Sequence, residues 1–172
     1  MLIDGIKYTI YFLLLVLIQG LILNNIEFSG YINPYIYVLF ILILPFNTSK
    51  YTVLVLAFIL GLSIDAFSST AGMHTSATVF MGFLRNYILK LIEPRDGYEI
   101  SSKPLAEDMG IQWFTTYSTI LVLSHHLFLF FIESFKFSQF FTTLGRAIIS
   151  CVFTLLLIFI VQLFNYKKAS RR

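Results

Sequence analysis

The sequence has little charge, one cysteine and none of the common catalytic motifs. Charged residues make up 12% of its 172 residues, too few to cover the surface of a soluble protein of this size. The single Cys151 excludes an internal disulfide and is expected to pack within an apolar segment. There is no Walker loop, Gly-x-Ser-x-Gly elbow, His-Glu-x-x-His motif or Cys-x-x-Cys pair. We therefore expect no enzymatic activity, no cofactor and no metal site.

Long apolar runs, in contrast, are abundant. Hydrophobic residues make up 58% of the chain and the mean hydropathy is +0.82, both typical of a membrane protein. No polar stretch is long enough for a second domain, so we predict one all-α integral membrane domain over residues 1–172. Its six predicted transmembrane helices are residues 8–23, 34–46, 51–67, 72–92, 111–132 and 144–166. The second is short and either tilts, extends back through Tyr31 or forms a half-helix paired with the third.

The distribution of basic residues predicts the orientation. With six spans, both termini and the loops after the second and fourth spans share one side, which holds ten of the 12 basic residues. The other side holds only Lys136 and Arg146. Because basic residues accumulate on the cytoplasmic side, both termini are expected to be cytoplasmic. The first segment lacks a small-residue cleavage site and should remain as an anchor. No basic stripe with interleaved aromatic residues points to nucleic acid.

The longest polar loop, about residues 93–110, carries both acidic and basic residues. Its Pro-Arg-Asp-Gly stretch is typical of a tight turn. The loop is expected to be a solvated cytoplasmic hairpin, which either connects two spans or docks a cytoplasmic partner.

Two ionisable residues, Asp65 and His74, flank the turn between the third and fourth spans. Ionisable groups at the edge of a hydrocarbon layer are costly, so they usually face protein, a ligand or a wet cavity. A carboxylate can orient an imidazole and stabilise its charged form. The pair could serve in a proton relay, in substrate binding or in metal ligation, but we favour a structural polar lock that holds the turn. One histidine and one carboxylate are too few for a closed metal site.

His125 and His126 are neighbours on the fifth span. Adjacent residues on a helix point about 100° apart, so the two rings do not converge on one metal ion. We expect at least one of them to hydrogen-bond to a neighbouring helix.

Small residues recur at a spacing of four on the third and fourth spans. Ala57 and Gly61 form one pair, and Thr78 and Gly82 form the other. Small residues at this spacing let helices approach closely, so these spans should pack tightly against each other or against a partner helix. Further along the fourth span, Arg85 is expected to snorkel to the lipid headgroups, or to bind an anionic headgroup or an acidic residue of a partner.

The motif that joins these features resembles the family of rod shape-determining proteins MreD. That family tends to show a glycine, an aspartate four residues later, an apolar residue followed by serine, then a glycine and a histidine. The matching residues here are Gly61, Asp65, Phe67, Ser68, Gly72 and His74. Residues 94–99, Pro-Arg-Asp-Gly-Tyr-Glu, are similar to the form found in the Bacteroidetes branch. The chain departs from the family pattern at Ala66 and Met73, where leucine is frequent.

The resemblance implies a non-catalytic scaffold of the cell-elongation complex in the bacterial inner membrane, which helps to control peptidoglycan synthesis and cell shape. It implies binding to MreC, a single-span protein with a periplasmic domain. It also implies work beside the actin-like MreB, a RodA-type glycan polymerase and a class B penicillin-binding transpeptidase. A further implication is a fold similar to the substrate-binding subunits of energy-coupling-factor vitamin transporters. The residues expected to be structural or to bind the partner are Ala57, Gly61, Asp65, Ser68, Gly72, His74, Thr78, Gly82 and Arg85.

Two other functions stay open. A small-molecule-binding or transport subunit would need a polar pocket near the outer surface, lined by residues such as Asp65, His74, His125 and His126. An intramembrane lipid-processing enzyme would need a complete catalytic site, which the sequence does not offer. In a scaffold, dispersion packing and interhelical hydrogen bonds would supply the affinity for a partner helix.

Overall fold

The computed structural model describes residues 2–25, 32–99, 102–135 and 139–169, and these ranges are helical without any strand. They contain seven α-helices. The helices are α1 (Leu2–Leu17), α2 (Leu39–Leu42), α3 (Lys50–Ser68), α4 (Met73–Leu91), α5 (Ala106–Met109), α6 (Ile111–Ser134) and α7 (Phe140–Ala169). A π-helical turn, Ile18–Ile22, and a 3-10 turn, Leu23–Asn25, extend α1, and a second 3-10 turn, Ile36–Val38, leads into α2.

Four of the described helical segments are long and apolar enough to cross a membrane. They are Gly5–Asn25, Lys50–Ser68, Ile111–Ser134 and Phe140–Phe164. These segments coincide with the first, third, fifth and sixth predicted spans, so the prediction of a helical, multi-pass membrane protein is confirmed at this level. Large apolar side chains such as Leu21, Phe58 and Leu163 are exposed on the outside of the bundle, as contact with lipid requires.

The fourth predicted span differs from these four. α4 is a helix, as predicted, and its 19 residues lie within the predicted range of 72–92, but it is not among the apolar segments found in the described ranges. The helix packs between α3 and α6, and its polar residues, which include His74, Thr78 and Arg85, are buried. Its sequence is therefore polar because much of its surface faces the interior of the protein rather than lipid.

The second predicted span is a buried half-helix. Residues 36–42 form one 3-10 turn and one α-helical turn, which together rise about 12 Å, well short of a hydrocarbon core of about 30 Å. Every side chain from Tyr35 to Leu44 is buried. We call residues 36–42 the central half-helix. The segment is therefore a half-helix, as one alternative predicted, but it packs against α1, α3 and α7 and is not paired with α3 alone.

At its C-terminal end, the central half-helix leaves carbonyl groups without helical partners, and side chains from two other helices bind them. The Tyr117 hydroxyl of α6 donates to the Leu42 carbonyl over 3.2 Å. Arg85 of α4 donates through Nη2 to the carbonyls of Leu44 and Pro45, and through Nε to the Tyr117 hydroxyl. Backbone groups at membrane depth are thus satisfied inside the protein, as a bilayer requires.

At the other end, α7 supplies the partners. The Asn33 amide donates to Ser150 Oγ over 3.1 Å, and the Tyr35 amide donates to Thr154 Oγ1 over 2.9 Å. Both hydroxyl side chains are fully buried, and residues four apart lie on the same face of a helix. One face of α7 therefore holds the extended chain that enters the central half-helix.

The expectation that Arg85 snorkels to the headgroups or binds an anion there is wrong. Its side chain is 0% exposed, and its bonds are to neutral oxygens. A desolvated guanidinium is costly unless it is hydrogen-bonded, so this side chain and the carbonyls of the broken segment stabilise each other. One of its nitrogens, Nη1, has no hydrogen-bond partner among the described residues.

The polar loop after α4 is anchored by aromatic residues. The Tyr98 ring stacks on Phe46 with centroids 4.1 Å apart, and its hydroxyl donates to the Leu89 carbonyl over 2.7 Å. Burial raises the pKa of Tyr98 to about 12, so the hydroxyl stays protonated and remains a donor. Trp113 donates through Nε1 to the Ile92 carbonyl over 3.1 Å. Tyr98 therefore holds its part of the loop against α4 and Phe46, and docking of a cytoplasmic partner on the loop stays a prediction.

Replacing Arg85 by methionine should destabilise the protein by about 2 to 3 kcal/mol, because two buried carbonyls and the Tyr117 hydroxyl lose their donor. Thermal unfolding or denaturant titration in detergent measures the loss. Arg95→Met, which changes an exposed arginine of the loop, is the matched control and should be neutral within about 0.5 kcal/mol. Equal stabilities of the two variants would show that the guanidinium does not hold the broken segment.

Candidate functional site

Asp65 binds the N-terminus of the helix that follows it. It lies in the last turn of α3 and is 4% exposed. Its Oδ1 accepts from the His74 amide over 3.0 Å, and its Oδ2 accepts from the Thr75 amide over 2.9 Å. The hydroxyls of Thr70 and Thr75 donate to the same two oxygens, each over 2.5 Å. The carboxylate therefore accepts four hydrogen bonds at the positive end of the α4 dipole.

Gly72 explains why α4 takes its cap from another helix. α4 begins directly after Gly72, whose φ of 81° favours glycine and which has no side chain to accept an amide. The amides of His74 and Thr75 occupy the positions that an N-cap side chain usually binds. Asp65 supplies this cap from α3, so the same contact also joins α3 to α4 across the turn.

Ser68 fastens this turn to the end of the first helical segment. Asn24 Nδ2 donates to Ser68 Oγ over 2.9 Å. The next residue, Ser69, ends α3 in the left-handed conformation with φ of 53°, and its amide bonds to the Asp65 carbonyl. The turn is therefore held from the 3-10 turn that extends α1 as well as from α3 and α4.

The predicted pairing of Asp65 with the imidazole of His74 is wrong, because the carboxylate binds the backbone amide of His74 instead. His74 Nδ1 lies 3.0 Å from the Tyr37 hydroxyl, and that hydroxyl lies 2.8 Å from His125 Nε2. A hydroxyl has one proton, so it donates to one of the two rings and accepts from the other. The turn is therefore held by a polar lock in which the Asp65 carboxylate accepts hydrogen bonds from main-chain amides.

Three histidines surround one buried tyrosine. The ring centroids of His74, His125 and His126 lie 5.1, 6.2 and 5.4 Å from that of Tyr35. Nε2 of His126 lies 3.0 Å from Thr154 Oγ1 of α7, so one of the adjacent histidines does bond to a neighbouring helix. Nδ1 of His126 lies 2.8 Å from a carbonyl of its own helix and must donate to it. Nε2 of the neutral ring then accepts the threonine proton.

This cluster is not arranged as a metal site. Within the described ranges, no group of three or more histidine, cysteine, aspartate or glutamate residues is placed to hold an ion. Instead, Tyr37 and Thr154 occupy the ring nitrogens of His74 and His126. Sequence analysis did not identify Tyr35 or Tyr37 as members of this cluster. The signal that could have found them is their place in a segment too short to span, whose polar groups must lie inside the protein.

The small residues of α3 and α4 form a seam between these two helices. A Cβ atom on Gly61 would lie 2.8 Å from the His74 carbonyl oxygen and would overlap the backbone of the next residue. A Cβ atom on Gly82 would lie 3.1 Å from that of Ala57. Thr78 Oγ1 donates back to the His74 carbonyl over 2.6 Å. The two predicted spans thus pack against each other, and the seam is not free for a partner helix.

An apolar groove lies between α4 and α6. Its volume is about 640 Å³, and it opens at the outside of the bundle. Its lining residues are Phe80, Ser124, Leu127, Phe128, Phe131, Ile132 and Phe135. The rings of Phe80 and Phe128 stack with centroids 4.5 Å apart and join its two walls.

A polar pocket of about 330 Å³ opens beside the turn between α3 and α4. Its lining includes Gln19, Tyr35, His74, Glu133 and Arg146. The sequence predicted four residues for such a pocket, and His74 does line it. The other three, Asp65, His125 and His126, do not.

Comparisons with known proteins do not extend this description. No protein-family model, curated protein or solved structure matches the chain. The resemblance to the rod shape-determining family therefore depends on the motif residues alone, and the geometry described above is the second source of information on function.

Asp65→Asn should destabilise the protein by about 2 to 3 kcal/mol, because an amide nitrogen replaces an acceptor at a site where all four partners are donors. Thermal unfolding in detergent measures the effect. Asp96→Asn makes the same change on the exposed loop and should leave stability within about 0.5 kcal/mol of the parent chain. An Asp65→Asn variant that is as stable as the parent chain would contradict the polar lock.

Gly61→Ala should cost about 1 to 3 kcal/mol, since the added methyl group forces α3 away from the α4 backbone. Gly145→Ala is the matched control. Nothing lies within 4 Å of a Cβ atom at Gly145, so alanine there should be neutral or stabilising by up to about 1 kcal/mol. If Gly61→Ala and Gly145→Ala unfold at the same temperature, the close approach of α3 and α4 at Gly61 does not exist.

Proposed function

We propose that this chain is a non-catalytic membrane scaffold of the bacterial cell-elongation complex, which binds a single-span protein of the MreC type. Two features support the proposal: the motif resemblance within residues 61–74 and the groove between α4 and α6. Through that partner the chain would act with MreB, a RodA-type glycan polymerase and a class B penicillin-binding transpeptidase. Its role would be to hold them together and so to help control peptidoglycan synthesis and cell shape.

The bonds of the motif residues favour a structural role. Asp65 receives four hydrogen bonds from its own chain, and Gly61 and Gly82 contact the neighbouring helix of the same chain. A carboxylate with these positions filled is poorly placed to take a proton from a substrate. The motif thus builds a braced hairpin of α3 and α4, and the partner must bind elsewhere.

The groove between α4 and α6 carries the proposal, because six of its seven lining residues are apolar. Ser124, Leu127, Phe128 and Phe131 lie at i, i+3, i+4 and i+7 on α6, which is one straight stripe along the helix. Phe80 is the described lining residue that α4 contributes, and its ring stacks on that of Phe128. A groove of this form suits a helix packed lengthwise with an apolar face towards it. We therefore assign the groove to the transmembrane helix of the partner.

The proposed orientation supports the same choice. In our proposal the chain crosses the inner membrane six times, with the central half-helix within the second crossing, and both termini are cytoplasmic. The groove then lies towards the outer surface, since Phe80 is early in α4 and Phe135 directly follows α6. A single-span partner with a periplasmic domain leaves the membrane on that side. Dispersion packing would supply most of the affinity.

A photo-crosslinking residue in place of Leu127 should capture a single-span protein in native membranes, because this side chain lines the groove. The same residue in place of Val55, which is 58% exposed on α3, is the matched control and should capture lipid only. Mass spectrometry of the adducts identifies the partner. Phe80→Ala should lower the yield of the Leu127 adduct several-fold, because it removes one wall of the groove.

Depletion of the protein from rod-shaped cells should make them round if the complex depends on it. The scaffold proposal would be contradicted if crosslinkers at Leu127 and Val55 captured the same proteins in equal yield. It would also be contradicted if rod-shaped cells kept their shape after depletion.

A further inference from the structure

The polar pocket beside the α3–α4 turn is not used by the proposed scaffold. The groove assigned to the partner helix opens between α4 and α6. The pocket is lined by the π-helical and 3-10 turns after α1, by the chain before the central half-helix, by the α3–α4 turn with the adjoining ends of both helices, and by residues of α6 and α7. The two sites share none of their lining residues.

Gln19 lines this pocket and has a side-chain acceptor without a partner among the described residues. The residue is 1% exposed, and its Nε2 donates to Asn24 Oδ1 over 2.9 Å and to the Pro34 carbonyl over 3.2 Å. Both partners are acceptors, so the orientation of the amide is determined and Oε1 is the atom left over. Oε1 is buried and has no partner in the described part of the chain. Leaving a buried acceptor unpaired is costly, which favours a donor from a bound molecule.

The local backbone holds Gln19 in this position. Residues 18–22 form a π-helical turn, a distortion that often marks functional sites. The next residue, Gly20, packs against Phe67 so closely that a Cβ atom there would lie 2.5 Å from the ring. This contact presses the end of α1 against the end of α3. The amide of Gln19 is therefore held in place before any molecule binds.

The rim of the pocket carries one charge of each sign. Arg146 Nη1 lies 3.4 Å from Glu133 Oε1, and the guanidinium stacks on Phe130 at 4.5 Å from the ring centroid. Partly exposed pairs of this kind are weak, so a ligand can replace the contact at little cost. Arg146 Nε is buried and has no partner among the described residues. The rim thus offers a donor for a carboxylate and an acceptor for an ammonium group.

We infer that the polar pocket binds a small zwitterion of the amino-acid or dipeptide class. The ammonium or amide group of the ligand donates to Gln19 Oε1 and Glu133, and its carboxylate accepts from the Arg146 guanidinium. The volume of about 330 Å³ is at the lower end of the range of small-molecule sites, about 300 to 1,000 Å³. Such a site would be a second function of the chain, independent of the partner helix in the groove.

Thermal unfolding of the purified chain in detergent tests this inference with two probes of similar size. Alanylalanine at 10 mM should raise the midpoint by several degrees, whereas N-acetylalanine amide, which lacks both charges, should not. Gln19→Leu should weaken binding of the dipeptide at least tenfold. Gln112→Leu makes the same change at the exposed start of α6 and should bind as the parent chain does.

Two further variants distinguish a loss of binding from a folding defect caused by the change at Gln19. Glu133→Gln and Arg146→Gln change partly exposed rim residues, and each should weaken dipeptide binding while the unliganded midpoint stays near that of the parent chain. The inference is overturned if the dipeptide gives no shift, if both probes shift the midpoint equally, or if the three pocket variants bind as well as the parent. Because no partner is present in this assay, its result is separate from that of the crosslinking experiment.

Discussion

The backbone of the central half-helix and of the residues beside it must form its hydrogen bonds inside the protein. Many of the buried polar side chains are the partners in these bonds. The hydrocarbon core holds no water, so a lone amide or carbonyl there costs several kcal/mol. Arg85 and Tyr117 bind the carbonyls at one end, and Ser150 and Thr154 bind the amides at the other. These side chains come from α4, α6 and α7. A short irregular segment thus determines where three long helices carry polar residues and how those helices meet.

The long helices could be predicted because the thickness of the bilayer sets their length. Runs of apolar residues located α3, α6 and α7 to within a few residues, and likewise the segment Gly5–Asn25, which consists of most of α1 and the two turns that extend it. α4 was predicted as a helix, but hydropathy cannot distinguish a polar helix inside a protein from one in water. The ends of the second span could not be predicted. Its amide partners on α7 lie 117 and 119 residues away, and no local pattern encodes such contacts.

In the site, the sequence indicated that Asp65 and His74 lie close together, but not which groups they bind. The spacing of Asp65 and His74 brought them together, but the choice of backbone over imidazole depends on the positive φ of Gly72. The spacing of small residues predicted a close approach of helices, yet spacing carries no information on which surface lies opposite. Tyr37 and His125 are 88 positions apart in the sequence, and their contact is seen only in the folded structure. Buried networks of this kind depend on tertiary packing, not on motif.

The distant bonds of the central half-helix have a consequence for biogenesis. A nascent chain enters the membrane from its N-terminus, so residues 32–44 are synthesised long before Ser150 and Thr154 exist. Until the last helix inserts, Asn33 and Tyr35 have no hydroxyl acceptors, and the segment must wait in a hydrated or chaperoned state. The pair of α3 and α4 is different, because the Asp65 contact that joins the two helices lies within the pair. These helices can therefore pack as soon as both have been synthesised. The contacts that hold residues 33–35 therefore form only after α7 has been synthesised.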